Sequence, residues 1–147
     1  MGRRKRGSHN QAIGRSRGGL TTKLGALVDA LGNLIAFVLL PGQRHDVNLV
    51  DLLMNSVACG AFLGDKAFDA NKVRDFLAAR KIEAVIPARK GTKGGDEYDK
   101  EKYKWRHLIE NFFCKIKAFR RIATRYEKTD ACFAAMIYAV NIVIITI

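Results

Sequence analysis

The stretch YKWRHLIENFFCKIK, residues 103–117, holds one acid, Glu110, among basic and apolar side chains. At about 100° per residue, a helix would set Tyr103, Arg106, Cys114 and Lys117 within roughly 40° of Glu110. Leu108, Ile109, Phe112, Ile116 and Phe119 would gather on the other side, as an apolar face. The polar stripe has two readings. Arg106 and Glu110, four residues apart, can be an ordinary surface pair worth about 0.2–0.5 kcal/mol. Alternatively, the carboxylate is an oxygen donor for a hard cation, beside cations that grip phosphate. Spacing alone leaves both open. A second acid, Asp65, ends the apolar run AFLGD and precedes a loop into a helix. In open α/β sheets, chemistry gathers at the carboxyl ends of strands. Asp69 is better placed to cap the following helix, which leaves Asp65 without an evident structural duty. Only tertiary structure can bring Asp65 and Glu110 together. If they meet, two carboxylates among lysines and arginines suit a divalent metal and a phosphodiester; two such metals sit about 3.5–4 Å apart.

The elements that must position these residues follow from periodicity. Leu20, Thr22, Leu24, Ala26 and Val28 alternate as one face of a strand, ALGN supplies a turn, and LIAFVLL is a second strand ended by Pro41-Gly42. Together they predict a β-hairpin. Asp46 is a candidate N-cap for a helix through Val47, Val50, Leu53, Met54 and Val57. AFLGD is then a short strand, ANKVRDFLAARK a helix, EAVIPA a buried strand stopped by Pro87. The loop RKGTKGGDEYDK leads to the Glu110 helix, and Asp130 is a candidate cap for a last helix. Strand, helix, strand demands a parallel pair with a helical crossover, so the class is α/β.

Composition narrows the partner. Over 147 residues, 26 basic side chains face 14 acids, for a net charge of +12. Such a balance points to a polyanion, with nucleic acid ahead of an anionic membrane surface. With 48% hydrophobic residues the chain can build a core. Cys59, Cys114 and Cys132 read as reduced core thiols, and His9, His45 and His107 lack metal-ligand spacing. The terminal run ACFAAMIYAVNIVIITI is interrupted by Asn141 and short of the roughly 20 residues of a span. It reads as a buried helix, and the protein as cytoplasmic, associated with the nucleoid. Residues 1–19, with Arg15, Arg17 and an RRKR cluster among glycines, read as a flexible basic arm before a domain over 20–147.

Several stretches carry a resemblance. AIGRSRGGLTTKLGALVDALGN, PGQRHD, GDKAFDA, IEAVIPARK and RHLIENFFCKIKAFRRIATRYEKT resemble the C-terminal part of the catalytic domain of bacterial insertion-sequence transposases of the DDE type. That family carries Tyr-(2)-Arg-(3)-Glu-(6)-Lys, and Tyr103, Arg106, Glu110 and Lys117 reproduce it. The resemblance implies a ribonuclease-H-like mixed sheet with helices. Asp65 and Glu110 become the second and third catalytic acids, holding Mg²⁺ or Mn²⁺. Tyr103, Arg106 and Lys117 face DNA, with Arg120, Arg121, Arg125, Arg15 and Arg17 as further contacts.

The family's first aspartate stands on the first, central strand, upstream of GRSRGGL. Here no acid precedes Asp29, and Asp29 and Asp46 are poor substitutes. The expectation is therefore a partial domain lacking that strand, completed by an upstream transposase segment. Double-stranded DNA, as transposon ends and target, is the expected partner of a homo-oligomeric complex, with no membrane. The rival is a catalytically inactive remnant that still binds DNA.

Overall fold

The computed structural model describes residues 11–17, 19–91 and 97–147. The chain is mixed α/β. Strand β1 (Gly14–Ser16) pairs antiparallel with the start of β2 (Gly19–Val28), and β2 pairs antiparallel with β3 (Leu34–Pro41). Helix α1 (Val47–Met54) follows, then β4 (Ala61–Leu63), a 3-10 turn (Lys66–Phe68), α2 (Asn71–Ala79) and β5 (Glu83–Val85). β4 and β5 are parallel, with α2 as their crossover, as the alternation of elements requires. The rest is helical: α3 (Lys100–Tyr103), a 3-10 turn (Lys104–Arg106), α4 (His107–Lys117), α5 (Arg120–Ala123) and α6 (Asp130–Thr146).

The hairpin forms where the alternation places it. Its turn is built by Asp29, whose Oδ1 accepts from Leu31 N at 2.8 Å and Asn33 N at 2.9 Å. Gly32 takes φ 84°, a left-handed conformation that glycine adopts without a Cβ penalty.

Among the described residues, buried side chains form two cores, and the hairpin lies between them. Leu27 packs on the first, with Val50, Met54, Phe62, Val73, Leu77, Ile82 and Ile86. Leu24, Ala26 and Val28, the other face of the same strand, pack on the second, with Phe112, Ile116, Ile122, Phe133, Ile137 and Val140. The side-chain period of two thus gives one strand two cores. Gly25 lets α1 approach closely, since a Cβ there would meet Leu49 Cδ2 at 2.5 Å. Leu20 is 73% exposed and stands outside the predicted apolar face.

Several local expectations need correction. Of the basic arm, residues 1–10 and 18 lie outside the described residues. Gly14–Ser16 is built into a sheet, because β2 extends far enough to pair with it. The three cysteines are exposed rather than in a core: Cys114 lies on the polar stripe of α4, Cys132 in the first turn of α6, and Cys59 just before β4. Asp46 makes no side-chain cap, because its carboxylate pairs with Lys23 at 2.8 Å. Thr129, not Asp130, caps α6, accepting from Cys132 N at 3.3 Å. That helix buries one face and leaves Tyr138, Ile142 and Ile145 exposed. No helix among the described residues is long and apolar enough to cross a membrane.

Candidate functional site

Asp65 stands just past β4 with extended backbone, and its Oδ1 accepts from Ala67 N at 2.8 Å. It caps the 3-10 turn, so it does have a structural duty. Asp69, expected to cap α2, does something else: Ala70 takes the cap position without a side-chain bond. Asp69 is 8% exposed and ties the loops after β4 and β5 together. Its Oδ1 accepts from Arg74 Nε at 3.0 Å and its Oδ2 from Arg89 N at 2.7 Å. Arg89 then donates from Nε to Lys66 O at 3.0 Å and from its guanidinium to Ala67 O at 2.9 Å. Arg74 reaches Ile86 O at 3.1 Å. The turn that carries Asp65 is therefore clamped on both sides by a hydrogen-bonded ionic network. The sequence reading missed Arg74, Arg89 and this role of Asp69. A parallel βαβ unit does bring the loops after its two strands side by side, and that was the available signal.

The Glu110 stripe is held differently. Asp99 starts the helical run, accepting from Glu101 N and Lys102 N at 3.0 Å each, and these bonds, that to Lys102 N foremost, hold its carboxyl below the usual range. Tyr103 to Lys117 is not one uniform helix, because the 3-10 turn at Lys104–Arg106 interrupts it. The stripe survives nonetheless. Arg106 lies 5.7 Å from the centre of the Tyr103 ring and its guanidinium donates to Glu110 Oε1. Lys117 Nζ sits 5.8 Å from the Phe113 ring centre. Glu110's side chain is 53% exposed, so its carboxylate stands on a solvated helix face, while Arg106 is half-buried.

Asp65 thus belongs to the region of the first core and Glu110 to that of the second. Among the described residues neither is bonded to the other, and no group of three Asp, Glu, His or Cys side chains is gathered to hold a metal ion. Asp65 is engaged in capping a turn and Glu110 in an ion pair, and no contact among the described residues brings the two carboxylates to one cation. Asp29 and Asp46 do not fill the deficit, since one builds the hairpin turn and the other holds Lys23.

The expected DNA contacts divide as well. Arg15, Arg17, Arg120 and Arg121 are exposed. Arg125 is not available in the same way: its side chain is 11% exposed, donates to Thr22 Oγ1 at 2.7 Å and Glu127 O at 3.0 Å, and pairs with Asp130 at 2.8 Å. It is a strut from β2 to α6. A cleft of about 540 Å³ opens between the β3–α1 loop and the Asp65 turn, lined by Lys23, Arg44, His45, Asp46, Ala67 and Arg89 among others.

The sequence matches the family described as "Transposase DDE domain" over residues 2–145. It is also similar to a putative transposase for insertion sequence element IS6501 from Brucella ovis. The two are 36% identical over 121 residues, which cover 81% of this chain and 93% of that protein. No solved structure matches the chain.

Proposed function

Because this chain belongs to the transposase DDE domain family, whose business is DNA transposition, we propose that it is the C-terminal portion of a catalytic domain for DNA strand cleavage and strand transfer. The observation that carries the reading is a family match that runs through both Asp65 and Glu110. In this reading the domain is ribonuclease-H-like, and Asp65 and Glu110 are its second and third acids. The first comes from a strand supplied by an upstream transposase segment. That strand lies between the hairpin and the β4–β5 pair, which share no ladder among the described residues.

The family chemistry uses a divalent ion, Mg²⁺ or Mn²⁺, and these residues become its ligands when a third carboxylate joins them. The chain's own groups do the rest. The Asp69–Arg89 clamp fixes the turn bearing Asp65. Arg106 is shared between Glu110 and a DNA phosphate, so arriving backbone competes for the guanidinium and releases the carboxylate. Tyr103 backs Arg106, and Lys117 and exposed Arg120 and Arg121 hold the strand; Arg15 and Arg17 extend the contact. The active complex with transposon ends and target is a homo-oligomer.

The test is single-turnover cleavage of a duplex end by the protein completed with its upstream segment. Glu110→Gln keeps the shape and removes the charge, so cleavage is abolished while DNA affinity stays within twofold. Wild-type cleavage by that variant would end the assignment. The rival reading is a DNA-binding remnant without activity. It predicts that completion with the upstream segment restores no cleavage.

A further inference from the structure

The cleft between the β3–α1 loop and the Asp65 turn has a charge balance that the reading above does not use. Lys23 and Asp46 cancel: Lys23 Nζ bonds Asp46 Oδ1 at 2.8 Å and Arg44 O at 2.6 Å. These bonds, with Arg44 N donating to Pro41 O at 3.0 Å and Gly42 N to Thr21 O at 3.2 Å, fix the backbone of the loop. The side chains of Arg44 and His45 on that pinned loop have no protein partner among the described residues. Across the cleft, the Arg89 guanidinium donates to carbonyl oxygens, which cancel no charge. Arg44 and Arg89, whose guanidinium charges no carboxylate pairs among the described residues, thus line one space from two separate elements. At about 540 Å³, that space falls within the roughly 300–1,000 Å³ of small-molecule sites. Its wall includes Ala67, whose N–H donates to Asp65.

We propose that this cleft is a phosphate-binding subsite that seats one nucleotide unit of a DNA strand beside Asp65, with Arg44 as its principal phosphate contact and Arg89 as the second. A planar guanidinium can bind phosphate oxygens in a bidentate way, and a preformed loop spares the entropy of ordering it. Backbone seated here is positioned on the Asp65 side of the molecule, as Arg106 and Lys117 position it on the Glu110 side. The inference rests on the DNA-binding reading above.

The experiment measures binding of a 20-base-pair duplex by the 147-residue chain across a salt series, for wild type, Arg44→Ala, Arg44→Lys and an Arg120→Ala/Arg121→Ala control on α5. Neutralising one phosphate contributes roughly −0.9 to the slope of log affinity against log salt. Arg44→Ala is expected to flatten the slope by about that amount and weaken binding about fivefold at low salt. Arg44→Lys is expected to keep the slope, and the melting temperatures are expected to be unchanged. Thymidine monophosphate is the second probe and is expected to show no saturable binding below millimolar concentration. Wild-type affinity and slope for Arg44→Ala, with loss in the α5 control, would overturn the subsite and leave the DNA reading standing. No loss in either variant would overturn both. Tight thymidine monophosphate binding that Arg44→Ala removes would overturn the DNA strand as occupant in favour of a free nucleotide.

Discussion

Asp65 and Glu110 carry the same chemistry in the proposed reading, yet their surroundings differ. Around Asp65 the positioning is tertiary: Asp69, 8% exposed, is bonded by Arg74 and Arg89, which in turn hold backbone carbonyls on three residues. Around Glu110 the positioning is local, one turn of helix and the arginine four residues before it. A short loop after a three-residue strand cannot fix a side chain by itself, so it needs a tertiary clamp. A helix fixes the direction of its side chains through backbone hydrogen bonds, so Glu110 needs only that α4 be docked by Phe112 and Ile116.

This contrast predicts unequal costs of mutation. Asp69→Ala leaves Arg74 and the Arg89 backbone N–H without their acceptor and should lower stability by about 3 kcal/mol, read by urea denaturation. Glu110→Gln should change it by less than about 0.5 kcal/mol in the same assay. Equal costs would break the comparison, because the Asp69 network would then not be what holds the turn.

The same contrast explains what was legible in the sequence. The hairpin, the parallel pair and the stripe all rest on short-range periodicity, and they formed where periodicity placed them. The Asp69 clamp did not show, since its partners Arg74 and Arg89 are five and twenty residues away and a carboxylate before a helix reads first as a cap. The resemblance makes Arg125 a DNA contact, and nothing local reveals that Thr22, 103 residues away, takes one of its hydrogen bonds. The cysteines followed their apolar neighbours in sequence, although Cys114 was already on the polar side of its own helix. Whether Asp65 meets Glu110 is not legible from periodicity, because the two lie 45 residues apart on separate elements.

A second prediction sharpens the division among the arginines. Arg125→Ala should cost about 2 kcal/mol, since it removes hydrogen bonds to Thr22 and Glu127 and an ion pair to Asp130 in a largely buried setting. Its salt slope for duplex DNA should match wild type. Arg106→Ala should reverse the pattern, with the slope flattened and stability nearly unchanged. A flattened slope for Arg125→Ala would return that residue to the DNA contacts.

A smaller effect concerns the hairpin that both regions share. The Asn33 backbone N–H, ahead of those of Leu31 and Gly32, holds the Asp29 carboxyl below the usual range. A lowered folded-state value means that this carboxylate adds stability above its unfolded value of about 3.9 and loses it as pH falls through the folded value. Acid denaturation followed by circular dichroism should thus show a slightly shallower loss below about pH 4 for Asp29→Asn than for wild type. Identical acid limbs would remove Asp29 from the turn's energetics.

The central claim is that Asp65, held by tertiary contacts, and Glu110, held by helix register, are two ligands of one site completed from upstream. Mn²⁺ titration followed by paramagnetic broadening of backbone amides tests it directly. The 147-residue chain alone should show no shared saturable broadening at the two positions. With the upstream segment added, amides around Asp65 and Glu110 should broaden along one isotherm, and Glu110→Gln should weaken both together. Two independent isotherms in the completed protein, or one shared isotherm in the chain alone, would contradict the account.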